Sequence, residues 1–186
     1  MPQPSGYRKA MRLMEQAQKF GRPILLFVDT PGAYCGINAE EKGQAEAIAQ
    51  CIRKGFTLTV PVLSFVIGEG GSGGALALGV ADRVYMLENS VYSIISPEGF
   101  ASILWKDNTR AVEASSIMKL TSFDLYSGGI VDGILEEPQE GADVDPEAVA
   151  ERIRQTIRRD LKELDLLEPD TRQSLRFHKY RIIGVV

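Results

Sequence analysis

Seven consecutive residues carry the clearest chemical signal in this chain: Gly68-Glu69-Gly70-Gly71-Ser72-Gly73-Gly74. Several chemistries claim parts of the run. Gly68-x-Gly70-x-x-Gly73 matches the dinucleotide fingerprint, which belongs in the first strand-to-helix turn of its fold with an acid about 20 residues on. Here the run follows the second recognisable strand, and Glu88 comes only after a further short strand pattern. A Walker A loop is excluded, since no Gly-Lys-Ser/Thr follows. Gly70-x-Ser72-x-Gly74 fits the nucleophile elbow of serine hydrolases, with Ser72 as nucleophile. That chemistry needs a base, and the single histidine, His178, lies in a basic tail at the far end of the chain. A purely structural role, glycines that let a helix pack closely on a strand, stays open beside these.

The remaining reading uses the backbone itself. Without Cβ the main chain can approach a ligand closely, and the first N–H groups of a helix have no intrahelical partner. Such donors suit a developing oxyanion, and losing one costs about 10²–10³ in rate. A site of this kind needs no side-chain nucleophile or base, which agrees with a chain holding one His and two Cys. Cys35, in a loop, and Cys51, on a helix face, read as reduced thiols. With His178 they fall short of the four ligands of a structural zinc site, so no metal is expected.

The elements that must position this turn are legible from periodicity. Tyr7, Ala10, Met11 and Met14 mark a first helix that Gly21 can close. Pro23 to Val28 is a continuous apolar run, predicting a strand buried on both faces, and it ends in the loop Asp29 to Gly36. Ala45, Ile48, Ala49 and Ile52 form the apolar face of a second helix. Pro61 to Ile67 predicts a second buried strand running directly into the glycine turn, and Ala75 to Leu78 a short, fully buried helix. Arg83 to Leu87 and Val91 to Ile95 predict two short strands. Ser96-Pro97 is an N-cap and first-turn proline, opening another helix. The pattern is helical from 109 to about Leu120, and Ile130 to Leu135 predicts a last strand. Asp145-Pro146 opens the longest helix, striped by Val149, Ile153, Ile157, Leu161 and Leu164. Repeated strand–loop–helix order predicts an α/β fold.

Composition narrows the function classes. With 186 residues, 44% of them apolar and 25% charged, the chain reads as one soluble globular domain. A net charge of −4 with interspersed signs argues against a nucleic-acid partner. No apolar run approaches the roughly 18–20 residues that span a bilayer, and the N-terminus lacks the pattern of a signal peptide. A cytoplasmic protein is the expectation.

Longer strings then become recognisable. Phe27-Val28-Asp29-Thr30-Pro31-Gly32-Ala33-Tyr34 with Glu40-Glu41 and Gly43-Gln44, Val66 to Ala77 across the glycine turn, Tyr92 to Gly99, and Ala101-Ser102-Ile103-Leu104-Trp105-Lys106 occur in this order. Together they resemble the alpha subunit of the acetyl-CoA carboxylase carboxyltransferase, from about Gly6 to the C-terminal helix. The resemblance implies a crotonase-like (ClpP/crotonase) spiral of β-β-α units. It implies one carboxyltransferase domain over 1–186 that lacks the family's N-terminal portion, with a helical segment over 145–186. It also implies a complex of two alpha and two beta subunits that works with biotin carboxyl carrier protein and biotin carboxylase. In such a complex a carboxyl group moves from carboxybiotin on the carrier to acetyl-CoA, giving malonyl-CoA for fatty-acid synthesis.

On this resemblance backbone N–H groups of Gly70, Gly71, Gly73 and Gly74 would stabilise the ureido oxygen of biotin, the helix-start pair Gly73 and Gly74 or the adjacent Gly70 and Gly71 being the favoured choices, with Gly32, Ala33 and Ser72 as substrate-contacting residues. Glu98 is read as a favourable first-turn carboxylate rather than a hydratase-type base, and Glu69 as a turn residue or a polarising group. Trp105 is read as an anchor, and Met118-Lys119-Leu120 is rejected as a biotinylation site. The alternatives to an enzyme subunit are a non-catalytic assembly or regulatory relative and, more weakly, a serine hydrolase using Ser72.

Overall fold

The computed structural model describes residues 1–185. Its helices are α1 (Pro4–Lys19), α2 (Ile37–Glu41), α3 (Gln44–Thr57), α4 (Ser72–Gly79), α5 (Pro97–Trp105), α6 (Ala111–Met118), α7 (Ser122–Ser127), α8 (Pro146–Leu164) and α9 (Pro169–Ile182), with a 3-10 turn at Asn108–Arg110. The strands are β1 (Ile24–Thr30), β2 (Val62–Gly71), β3 (Arg83–Leu87), β4 (Val91–Ser93) and β5 (Gly133–Leu135). They form one parallel sheet in the order β1-β2-β3-β5, with β4 paired to the far end of β2.

Strand β2 organises the site because its two halves serve different neighbours. Leu63 to Val66 pair with β3, while Glu69, Gly70 and Gly71 pair with β4. Between them the register against β1 slips: Val28 faces Val66 but Thr30 faces Gly70, so Ile67, Gly68 and Glu69 lie opposite the single residue Asp29. Such a bulge bends the strand and sharpens its twist. The Asp29 carboxylate holds it, Oδ1 accepting the Glu69 N–H at 3.1 Å. A Cβ at Gly68 would fall 2.5 Å from the same oxygen, so any larger residue there would displace the carboxylate that holds the bulge.

Two apolar layers flank the sheet. Val28, Val62, Val66, Val84 and Met86 face α1 and α4 on one side, with Met14 and Ala75 among the residues packed there. On the other side Leu63, Phe65, Tyr85, Leu87 and Leu135 receive the α8 stripe of Val149, Ile153, Ile157, Leu161 and Leu164. Phe27, Phe65 and Tyr85 lie in register across three strands, and their rings stack at 5.5 and 5.6 Å.

Two expectations are corrected here, those for β1 and for α4. Strand β1 is buried on one face only: Leu25 and Phe27 are 39% and 48% exposed, because β1 ends the sheet and α8 covers the strands beyond it. The apolar run recorded composition but not its position at an edge. The segment over 145–186 comprises helices α8 and α9, and α9, which holds the basic residues, docks through arginine rather than through an apolar stripe. Arg176, fully buried, grips Asp82 with Nε–Oδ1 at 2.8 Å and Nη2–Oδ2 at 2.7 Å. It also donates to the Gly55, Leu58 and Val60 carbonyls, satisfying orphan acceptors at the end of α3. Helices α2 and α7 were not foreseen, and α4 is less enclosed than expected, with Leu76 partly exposed.

Candidate functional site

The chain passes from β2 into α4 with no intervening residue, so Ser72 takes the whole change of direction. Its φ of +55° lies in the left-handed region, where a residue with Cβ is strained by about 1–2 kcal/mol. Strain of this kind gathers at functional turns. No side chain caps the N-terminus of α4, whose cap residue is Gly71.

The four candidate glycines have different surroundings. Gly71 lies so close to the Pro31 carbonyl that no Cβ fits between them. A Cβ at Gly74 would collide with the Ala33 nitrogen and lie 2.7 Å from the Tyr7 hydroxyl. At Gly70 it would meet the Tyr92 ring at 2.8 Å. Gly73 alone of the four has room, its nearest neighbour being Ile48 at 3.6 Å. Gly71 and Gly74 therefore make a backbone-to-backbone seam between the turn and the Pro31-Gly32-Ala33 loop, Gly70 packs under the Tyr92 ring, and Gly73 has room for a side chain where it lines a cavity.

That loop is held by several fastenings. Gly32 has φ +142°, a conformation that favours glycine. Thr30 Oγ1 accepts the Gly32 N–H at 3.2 Å and donates to the Gly32 carbonyl at 2.9 Å. Buried Gln44 donates from Nε2 to the Tyr34 and Pro2 carbonyls, both at 2.9 Å, which ties the loop to α3 and to the start of the chain. Among the described residues the Ala33 N–H donates to no protein acceptor.

Turn and loop open onto a cavity of about 710 Å3, and all seven residues singled out from sequence line it: Gly32, Ala33, Gly70, Gly71, Ser72, Gly73 and Gly74. The opposite wall is Ser93 to Pro97, which the recognisable strings contained without a stated role. The titratable side chains on its lining are Glu69 and Cys35. A second cavity of about 630 Å3, largely apolar, lies against the first and shares Ser72, Gly73, Ser93 and Ile94 with it; Leu76, Tyr92, Phe100 and Ile130 line its interior.

The other candidates fall outside the first cavity. His178 lines a separate cavity with Asp82, Asp132 and Lys179, so Ser72 has no histidine base. Glu98 sits in the first turn of α5, where Ser96 caps the Gly99 N–H at 3.2 Å. Lys119 ends α6 in a left-handed conformation and pairs with Asp124 at 3.6 Å. Trp105 packs edge-on to Phe100 and beneath the Arg110 guanidinium, 4.0 Å from its ring centroid. Cys51 is buried and donates to the Tyr7 carbonyl at 3.1 Å, and burial raises its thiol pKa. Among the described residues no three His, Cys, Asp or Glu side chains gather as a metal site, and no helix is long and apolar enough to cross a membrane.

Known proteins resemble this chain at several levels of similarity. An acetyl-coenzyme A carboxylase carboxyl transferase subunit alpha from Clostridium perfringens is 59% identical over 183 residues, which cover 98% of this chain and 68% of that protein. A protein from Natranaerobius thermophilus described as subunits beta/alpha of the same transferase is 58% identical over 184 residues, 99% of this chain and 30% of its own length. The crystal structure of the Pseudomonas malonate decarboxylase MdcD-MdcE hetero-dimer matches 95% of this chain and 72% of the compared chain, with TM-score 0.74 and 20% identity, a likeness of fold. The fold is the crotonase-like α/β type. The family model described as acetyl co-enzyme A carboxylase carboxyltransferase-like matches residues 1–184, and the chain belongs to that family.

Proposed function

We propose that this chain is the alpha half of a biotin-dependent carboxyltransferase that forms malonyl-CoA from acetyl-CoA, with carboxybiotin on a carrier protein as donor. The observation that carries the reading is the meeting of an uncapped helix start and an unbonded loop amide on one cavity, across a seam too tight for any Cβ. The site's residues fit the ureido group of biotin. The cavity lies within the roughly 300–1,000 Å3 of small-molecule sites, and Gly73, on its lining, belongs to the uncapped first turn of α4. When bound, carboxybiotin supplies the carboxyl group and, once that has left, a nitrogen able to take the proton from the acetyl group.

The chain's own part is then to hold negative charge. We assign the donors as the Ala33 and Gly73 N–H groups. The Gly32 amide is already bonded to Thr30, while the Gly73 amide lies in the uncapped first turn of α4, where N–H groups have no intrahelical acceptor, and Gly73 alone of the four candidate glycines leaves room beside the backbone. Backbone donors at a helix start are fixed before the charge develops, so no reorganisation is needed at that moment. Ser72, with no histidine beside it, serves as a wall of the cavity.

A beta subunit, a biotin carboxyl carrier protein and a biotin carboxylase supplying the carboxylated carrier complete the reading. The beta/alpha description of the Natranaerobius relative supports the first of these. So do the exposed apolar side chains Ile94, Ile103, Leu104 and Val112 on and beside α5 and α6, since apolar exposure of this kind marks protein contacts when it is contiguous.

The test is malonyl-CoA formation by the chain assembled with its beta subunit, given carboxylated carrier and acetyl-CoA. Product formation is expected. A well-folded complex that makes none overturns the reading in favour of an assembly or regulatory role. A fluorophosphonate is expected to leave Ser72 unlabelled; labelling would revive the hydrolase alternative.

A further inference from the structure

The Gly32 carbonyl and the Ala33 N–H are the two ends of one peptide group. Whatever donates a hydrogen bond to that oxygen draws electrons from the nitrogen and makes the N–H a stronger donor. Thr30, buried to 6% exposure at the end of β1, does this: its Oγ1 donates to the Gly32 carbonyl at 2.9 Å while accepting the Gly32 N–H at 3.2 Å. The pair of bonds also fixes the plane of the peptide, and therefore where the Ala33 N–H points.

A second hydroxyl stands behind the same peptide. Tyr7, on α1, is 1% exposed, and its Oη has no hydrogen-bond partner. It lies in the seam where a Cβ at Gly74 would come 2.7 Å from it and 2.9 Å from the Gly32 carbonyl carbon. Buried hydroxyls nearly always have partners, and leaving one unpaired destabilises the fold. Burial holds its pKa up, at about 12, so the phenol keeps its proton at neutral pH and remains a donor.

We propose that Thr30 is a positioning residue of the glycine-turn site, fixing and polarising the Gly32–Ala33 peptide, and that the Tyr7 hydroxyl, buried in the same seam without a partner, adds a dipole that responds to negative charge held by that peptide. The inference rests on the function proposed above and adds the residues that tune its donor.

The experiment compares Thr30→Val, Thr30→Ser and Tyr7→Phe in the complex assembled with the beta subunit. Thr30→Val keeps the shape and loses both bonds. It is expected to lower kcat by about tenfold, less than outright loss of a donor, with KM for acetyl-CoA and carrier changed by less than about twofold. Thr30→Ser, which restores the hydroxyl, should recover most of that loss. Tyr7→Phe should lower kcat several-fold while Tm stays level or rises, since an unpaired buried hydroxyl has gone. With 15N-alanine in the complex, the Ala33 amide proton should move upfield in Thr30→Val and return in Thr30→Ser. An active parent with kcat unchanged in Thr30→Val and Tyr7→Phe and an unmoved Ala33 proton overturns the inference alone. So does a loss in Thr30→Val that Thr30→Ser does not recover. An inactive parent overturns the functional reading instead, and the Ala33 proton shift still decides whether Thr30 polarises the peptide.

Discussion

Two seams hold this molecule together, and they are built from opposite materials. Where β2 meets α4, backbone lies on backbone: Gly71 against Pro31, Gly74 against Gly32 and Ala33, with scarcely a charged group in the cavity beside them. Where α9 meets the end of α3 and the start of β3, the seam is ionic: Arg176 on Asp82, Arg172 on the Thr59 and Leu164 carbonyls, Lys179 on Asp132. A search for catalytic side chains would go to the second seam, which has the histidine, the carboxylates and the buried cations. Its cations are largely taken up by carboxylates and backbone carbonyls, with Arg172 Nε left over inside the seam. The first seam, poor in titratable groups, is the one that brings backbone donors to a cavity. Abundant charge here marks structure, and its scarcity marks the site.

The comparison can be broken most forcefully at Arg176. Replacing it with alanine leaves Asp82 buried without its partner, a change that costs about 3–5 kcal/mol. At about 2–4 °C per kcal/mol for a chain of this size, Tm should fall by about 6–20 °C in thermal denaturation. An unchanged Tm would show that α9 is not docked through this pair.

The next largest effect belongs to the glycines. Gly71→Ala should force the turn away from Pro31 and lower carboxyl transfer by about 10²-fold, the cost of misplacing a donor. Gly73→Ala, with its nearest neighbour at 3.6 Å, should leave stability level or raise it by about 0.4–1 kcal/mol. Circular dichroism and turnover measured on both variants check this. Equal losses in the two would erase the distinction between seam and opening.

The smallest effect is a pH slope. Desolvation raises the phenols of Tyr7 and Tyr92 from 10.0 to about 12. Between those values the unfolded chain has released protons that the folded chain still binds, so stability falls as pH rises through this window. Below about pH 9 these groups contribute no slope. Tm measured from pH 8 to 12 should be flat and then decline, and Tyr7→Phe should decline less steeply.

Legibility in the sequence followed the same division. The glycine turn could be read because glycine is the residue whose absence of side chain is itself a signal, and all seven chosen residues line one cavity. Which glycines pack and which opens could not be read. That depends on a loop some forty residues earlier and on the slip of register opposite Asp29, neither of which leaves a local pattern. Helix α8 is plain from its apolar stripe, whereas α9 shows none, because arginines, not leucines, bury its inner face, and only the family resemblance implies a helix there. An apolar run does not say which strand ends a sheet, so β1 reads as buried on both faces. Tyr7 reads only as part of a helix's apolar face and Thr30 only as part of a recognisable string, since a single hydroxyl shows its role only once the peptide beside it is known.

The donor pair assigned to this site has a consequence for how the protein can change. Every residue except proline presents the same N–H, so single substitutions at Ala33 can alter the bulk around the donor but cannot delete it. Side-chain scanning is therefore blind to the groups that matter most, and only an amide-to-ester exchange at Ala33 or Gly73 would remove one donor at a time. A compound gripping those two amides would meet few escape routes by mutation. Resistance would have to come from the walls, at Ser93 to Pro97, where side chains rather than backbone shape the opening.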